Sequence, residues 1–256
     1  MSLGAPSMSR FFRAIRRSLI DEGKPLAYLK YAVGEVLLLV VGILIALQVN
    51  DWNDSRHQRI RERQALERLH DEAVRGVGYL SGIVESFDRY GAAQETALAA
   101  LSNGDWEWVD PELMREGLVT LSFFPTLSPP RSAYDDLISS GVFGELTDTE
   151  VRTAVAAYHA SLQHAMGQLE YVRIYNERLS DARIQSGGYR RVYDPASGRR
   201  LGHELDLSLL AADRAFMDAS LSALNSQRMM QEIRRDALER SREMCESLGR
   251  AVGKPC

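Results

Sequence analysis

The chain has 256 residues, of which 45% are hydrophobic and 26% charged, and its net charge is −4. These are globular proportions, and they exclude intrinsic disorder. Residues 1–30 hold Arg10, Arg13, Arg16, Arg17, Lys24 and Lys30 against Asp21 and Glu22, a net of +4 that leaves −8 on the other 226 residues and argues against nucleic acid as a partner.

The first element in chain order is RFFRAIRRSLI, a short basic amphipathic helix. Its Phe11, Phe12, Ile15, Leu19 and Ile20 suit the bilayer interface, with the arginines on anionic cytoplasmic headgroups. Tyr31 to Val49, YAVGEVLLLVVGILIALQV, comes next. As a helix this run rises about 28 Å, close to the roughly 30 Å of a hydrocarbon core. Val36 to Leu47 is apolar or glycine all round the wheel, whereas a soluble core helix keeps a polar face. The long segment before the run, with Asp21 and Glu22, and the LQVNDWND after it do not suit a cleaved signal peptide. The run therefore reads as a retained transmembrane helix with the lipid bilayer as its partner.

Two features inside the span go beyond anchoring. Glu35 is an intramembrane acid, which is by default a functional candidate, although it also lies near enough to the headgroups to meet Lys30 or a neighbouring chain. Gly34, Gly42 and Ala46 share one ridge, and the small-xxx-small pair Gly42 and Ala46 would let two helices approach closely, so a homodimer through this face is one expectation. Orientation is less one-sided than the net charge suggests. Six basic residues precede the span, and five arginines, Arg56, Arg59, Arg61, Arg63 and Arg68, lie just beyond it. A long C-terminal domain is exported largely regardless of its charge, so the N-terminus is expected in the cytoplasm and the large domain outside.

Beyond the span the membrane helix is expected to continue. Apolar or small residues recur at Leu66, Leu69, Ala73, Val77, Leu80, Val84, Phe87 and Gly91, then at Leu98 and Leu101, in steps of three and four. Gly76, Gly78 and Gly82 would allow a kink near residue 78. Asp110 caps a helix that opens at Pro111, and Pro125, Pro129 and Pro130 end it. A short helix over Ser132 to Ser140 closes at Gly141. Thr147 to Glu150 reads as a capping box that opens a helix to about Ile184, with Val151, Val155, Tyr158, Leu162, Met166, Leu169, Val172 and Leu179 on its apolar face. Tyr189, Val192 and Tyr193, followed by DPASG, suggest a small hairpin. A final helix spans Ala211 to Val252, with Phe216, Leu221, Leu224, Met230, Ile233, Leu238 and Leu248 among its apolar positions. The fold class expected is all-α: one N-terminal transmembrane helix continuing into a long helix, with an antiparallel helical bundle beyond the membrane. The divisions are 1–30 basic cytoplasmic segment, 31–49 transmembrane helix, 50–252 bundle and 253–256 flexible C-terminus.

The ordered elements FF-x-x-I-R, YA-x-GE, GILIALQ and WN, carried by FFRAIRRSLIDEGK and YLKYAVGEVLLLVVGILIALQVNDWND, resemble the N-terminal signature of a family of uncharacterised bacterial membrane proteins known only as a domain of unknown function. SAYDDLISSGVFGELTDTEVRTAVAAYH is similar to that family's Tyr-x-x-Leu-x-x-Ser-Gly segment. Together the matches cover roughly residues 10–160. The resemblance implies a single-pass, mostly helical protein of the bacterial inner (plasma) membrane. It carries over no catalytic residue.

The search for chemistry is mostly negative. His57, His70, His159, His164 and His203 include no i, i+4 pair and no H-E-x-x-H, and the cysteines make no C-x-x-C. No G-x-S-x-G, Walker loop or dinucleotide fingerprint is present. No catalytic, metal or cofactor-binding residue is expected, and no cofactor. Cys245 and Cys256 can bridge if the domain is extracytoplasmic, but the terminal position of Cys256 favours free thiols. Arg190, Arg191, Arg199 and Arg200, with Tyr189 and Tyr193, form the one surface suited to an anion contact, although a solvated hairpin explains them more simply. The function expected is an interaction or scaffold module at the cell envelope with an unidentified envelope protein as partner. The alternative is a sensing module that passes a signal through the membrane helix to a separate partner, and an enzyme is not expected.

Overall fold

A computed structural model describes residues 25–193 and 201–256. The architecture is all-α apart from one hairpin. In chain order the elements are α1 (Pro25–Asn103), a 3-10 turn (Trp106–Trp108), α2 (Pro111–Thr120), α3 (Ser132–Ser139), α4 (Val142–Glu145), α5 (Thr149–Tyr175), α6 (Glu177–Gln185), β1 (Tyr189–Tyr193), β2 (Leu201–Leu205), α7 (Leu207–Ala212) and α8 (Arg214–Val252). The chain divides into two compact units, Met1–Arg61 and Glu62–Cys256, and α1 supplies residues to both.

In the first unit the described residues are helical, and from Val33 to Arg61 each one is exposed. Among the described residues this is the one place with a helix long and apolar enough to cross a membrane. Large apolar side chains on every side of it lack a protein partner: Leu38 is 74% exposed and Ile45 57%. The basic helix expected before the span falls almost wholly on residues 1–24, outside the described residues.

The second unit buries the stripe read from sequence. Leu66, Leu69, Ala73, Leu80, Val84, Phe87, Leu98 and Leu101 are all buried. Gly76, Gly78 and Gly82 do not interrupt the helix, which is kept by packing on both sides of them. Helix α8 runs antiparallel to α1, as shown by contacts of His70 with Pro255, Val84 with Gln231 and Glu95 with Arg228. It is antiparallel to α5 as well, through Glu150 with Arg250 and Ser161 with Asp236. Helices α1 and α5 therefore point the same way, and the connection between them must carry the chain back.

Three local expectations shift. Asp148, not Thr147, caps α5, accepting from the N–H groups of Glu150 and Val151. The helix expected to reach Ile184 turns at Asn176, where α6 begins as a separate element. The final helix is broken at Asp213, whose side chain caps α8 through the N–H of Phe216. Met166 and Leu221, placed on apolar faces by their spacing, are 40% and 46% exposed. The hairpin forms as expected, with Tyr189 opposite Leu205 and Tyr193 opposite Leu201.

One expectation about the C-terminus is corrected. Cys245 and Cys256 form a disulfide instead of remaining free thiols. Residues 253–256 make specific contacts with the bundle. Gly253, at φ 74°, and Lys254 both donate their N–H to the Gly249 carbonyl, a left-handed helix ending that glycine permits. Pro255 offers its carbonyl to His70 Nε2 at 3.0 Å, and Lys254 Nζ lies 3.6 Å from Asp71. These contacts bring the terminal thiol back to buried Cys245. Cys256→Ser should lower stability by about 3 kcal/mol, the chain entropy of so short a closed loop. In thermal unfolding the variant should match the reduced wild-type protein and no longer respond to reductant.

Candidate functional site

The return connection, Leu121 to Asp148, runs back along α1 with little regular structure over its first half. Its backbone groups must find partners in side chains, because buried unpaired peptide groups are costly. Gln227 Nε2 donates to the carbonyls of Thr120, Leu121 and Phe123, and Arg173 to the carbonyl of Phe124 and to Thr126 Oγ1. Arg183, buried and stacked over Tyr189, donates to Ser122 Oγ and the Leu118 carbonyl, and burial holds its guanidinium below its ordinary value. Tyr79 Oη accepts from the Ser128 N–H at 3.0 Å, and Glu62 takes both the N–H and the hydroxyl of Thr147.

The densest of these contacts is at the start of α3. Buried Glu72, on α1, accepts from Ser132 Oγ at 3.2 Å, the Ala133 N–H at 2.7 Å and the Tyr134 N–H at 3.2 Å. It caps a helix whose own N-cap residue, Arg131, makes no capping bond, and its negative charge suits the helix N-terminus. Arg131 instead holds Asp135 with a two-pronged pair that keeps that carboxyl below its ordinary value. Tyr134 stacks on His159 at 3.4 Å between centroids, and Tyr158 meets the same imidazole edge-on at 4.9 Å. Burial, and then the Glu72 carboxylate, push the Tyr158 hydroxyl up to about 12. The cluster's chemistry is that of a clasp: Glu72 already accepts three donors, and the Tyr158 hydroxyl keeps its proton.

Burial, with Arg131 second, pushes His159 down to about 4 from 6.5, while Asp135 pulls the other way. The unfolded chain takes up this proton as pH falls through 6.5 and the folded chain only near 4. Stability present above pH 6.5 is therefore lost between 6.5 and 4, by up to about 3 kcal/mol. Unfolding followed across that range should show this slope, and His159→Phe, which keeps the stack on Tyr134, should remove its share of it.

A second polar cluster lines the contact of α1 with α8. A groove of about 490 Å³ is bordered by Asp88, Glu95, Arg228 and Arg235, with Phe87 and Gln231 among its other lining residues. Arg235 pairs with Asp88 and Arg228 with Glu95. Behind the groove, Arg234 is 1% exposed, stacks over the Phe87 ring at 3.7 Å and reaches Gln231 Oε1 at 3.5 Å. Among the described residues no carboxylate pairs with it, and burial pushes it down to about 10.

The residues singled out from sequence are not brought together. Gly34 and Gly42 have no atom within 4 Å of an added Cβ, and Glu35 and Ala46 are exposed. Arg190 pairs with Glu204 across the hairpin, Arg191 sits opposite His203, and Arg199 and Arg200 lie outside the described residues. The residues missed share one signal. Gln227, Gln231 and Arg234 fall on the same three-and-four steps as Leu224, Met230 and Leu238, and Glu72 follows Leu69 by three; polar residues on an apolar stripe are the ones with buried partners. Among the described residues no group of three or more histidine, cysteine or acidic side chains is arranged to hold a metal ion. Comparison with protein-family models, with curated proteins and with solved structures finds no match to this chain.

Proposed function

We propose that the chain is a single-pass anchor protein of the bacterial inner membrane whose helical bundle serves, outside the cytoplasm, as an interaction or scaffold module for other envelope proteins. The observation that carries this reading is the contrast within α1. Its apolar residues are exposed on all sides from Val33 to Val49, whereas beyond residue 64 its apolar stripe is buried. A bilayer is the solvent that such an exposed segment suits. The Cys245–Cys256 disulfide supports the orientation, because such bonds persist in oxidising compartments. The same reading takes the chain as a member of the uncharacterised family its N-terminal signature resembles, and it includes a homodimer through Gly34, Gly42 and Ala46. Glu72 and the arginines of the bundle act as clasps, which suits a rigid platform.

A periplasm-active reporter fused after Cys256 should be active, and the protein should stay in the membrane under alkaline carbonate. An inactive reporter overturns the orientation, and carbonate extraction overturns the anchor. Copurification from native membranes separates the roles: envelope-assembly proteins support the scaffold, and a histidine kinase or cyclase would replace it with sensing.

A further inference from the structure

The turns of α1 that follow the apolar run divide their charges by face. At about 100° per residue, Arg56 and Arg59 fall within roughly 40° of Trp52, while Asp51 and Asp54 lie about 100° or more away. Trp52 is 62% exposed, and Arg56 and Arg59 are exposed without an acidic partner among the described residues. Of the two acids, Asp54 is engaged elsewhere, its carboxylate accepting from Asn50 Nδ2 at 3.0 Å. Arg63, further along, is already paired with Glu67 at 3.2 Å.

We infer that Trp52, Arg56 and Arg59 form a contact for anionic phospholipid headgroups on the bundle's side of the bilayer. The inference rests on the membrane reading above, and helix geometry carries it further. Counted from Val49, Trp52 is about 4–5 Å along the axis, Arg56 about 10 Å and Arg59 about 15 Å, against a headgroup layer of roughly 5–8 Å. Side chains on a helix lean toward its N-terminus, which here is the membrane, so both long guanidinium arms reach back toward the phosphates. The indole takes the level between hydrocarbon and headgroup that tryptophan favours. A guanidinium fork matches a phosphodiester, and two on one stripe address the excess negative charge of an anionic lipid over a zwitterionic one. This also gives a role to arginines on the side of the membrane where the positive-inside rule would have fewer of them.

The test uses full-length protein carrying Trp106→Phe and Trp108→Phe, which leaves Trp52 as the single tryptophan of the three in the chain. It is reconstituted into equimolar phosphatidylcholine and phosphatidylglycerol vesicles in which one lipid or the other carries bromine on its acyl chains. Brominated phosphatidylglycerol should quench Trp52 more than its bulk fraction predicts, toward the twofold ceiling of an equimolar mixture, as a preference over phosphatidylcholine of up to roughly fivefold per arginine requires, and the excess should fall as salt is raised. Arg56→Gln with Arg59→Gln should bring the two lipids level. Arg61→Gln, on the opposite face, should leave the enrichment intact. Equal quenching by both lipids in the parent, or an equal loss in the Arg61 variant, overturns the contact. A Trp52 that neither lipid quenches removes the membrane anchor itself.

Discussion

Gly117→Val is expected to lower the stability of the bundle by about 4 kcal/mol, from overpacking against rigid backbone and the core opened in response. A Cβ at this position would strike the carbonyl oxygen of Ala93 and stand 2.7 Å from its carbon and 2.8 Å from the Ala97 Cβ. These atoms belong to the part of α1 that is packed within the bundle, so α2 would have to withdraw. Withdrawal separates Met114 and Leu118 from Ala97, Leu98 and Leu101, with which they share a buried cluster. Gly76→Ala is the control, because its added Cβ meets nothing nearer than 3.8 Å and should stabilise by up to about 1 kcal/mol through helix propensity. Calorimetry of both variants should show shifts of opposite sign, and a Gly117→Val protein as stable as its parent would refute the close approach.

Glu72→Ala should cost a similar amount, about 4 kcal/mol, because it strips one hydroxyl and two backbone N–H groups of their acceptor at once and removes a charge from a helix N-terminus. Glu72→Gln keeps the acceptor oxygen and loses the charge, so roughly half the loss is expected. Hydrogen exchange separates a local effect from a global one. The Ala133 and Tyr134 amides should exchange faster in both variants, while amides in the middle of α8 stay protected in the glutamine variant. Unchanged protection at those two positions would refute the clasp.

The long elements were legible because they are periodic. The stripe from Leu66 to Leu101 and the Asp110–Pro111 start carry their own local physics, and Asp110 does accept from the N–H groups of Glu112 and Leu113. What escaped is what depends on distant neighbours. Thr147 had the spacing of a capping box, but Glu62, from a far part of the chain, takes its hydroxyl and leaves Asp148 as the cap. The stop at Asn176 has no proline or glycine to announce it. Cys256 could be judged mobile because nothing in the neighbouring sequence points to His70 and Asp71, which meet the C-terminal residues from the other end of the bundle's chain. The return path of Leu121 to Asp148 shows in the sequence only its prolines and one short helix, since its partners Tyr79, Glu72 and Gln227 lie on other helices.

Helix α8 completes what α1 begins. Leu69 and Ala73 share their core with Met244, Cys245 and Leu248, and Gln231 reaches the Val84 carbonyl across a separation of 147 residues. During synthesis, α1 therefore emerges long before the surface that covers it. The part of its stripe that α8 covers has to wait until that helix has been made, although the return connection and α5, which share the same core, are made earlier. The bond between Cys245 and Cys256 then ties α8 to the segment that follows it. A chain interrupted anywhere before α8 would leave that part of the apolar stripe without its cover, so completion of α8 acts as a checkpoint for the folding of the bundle.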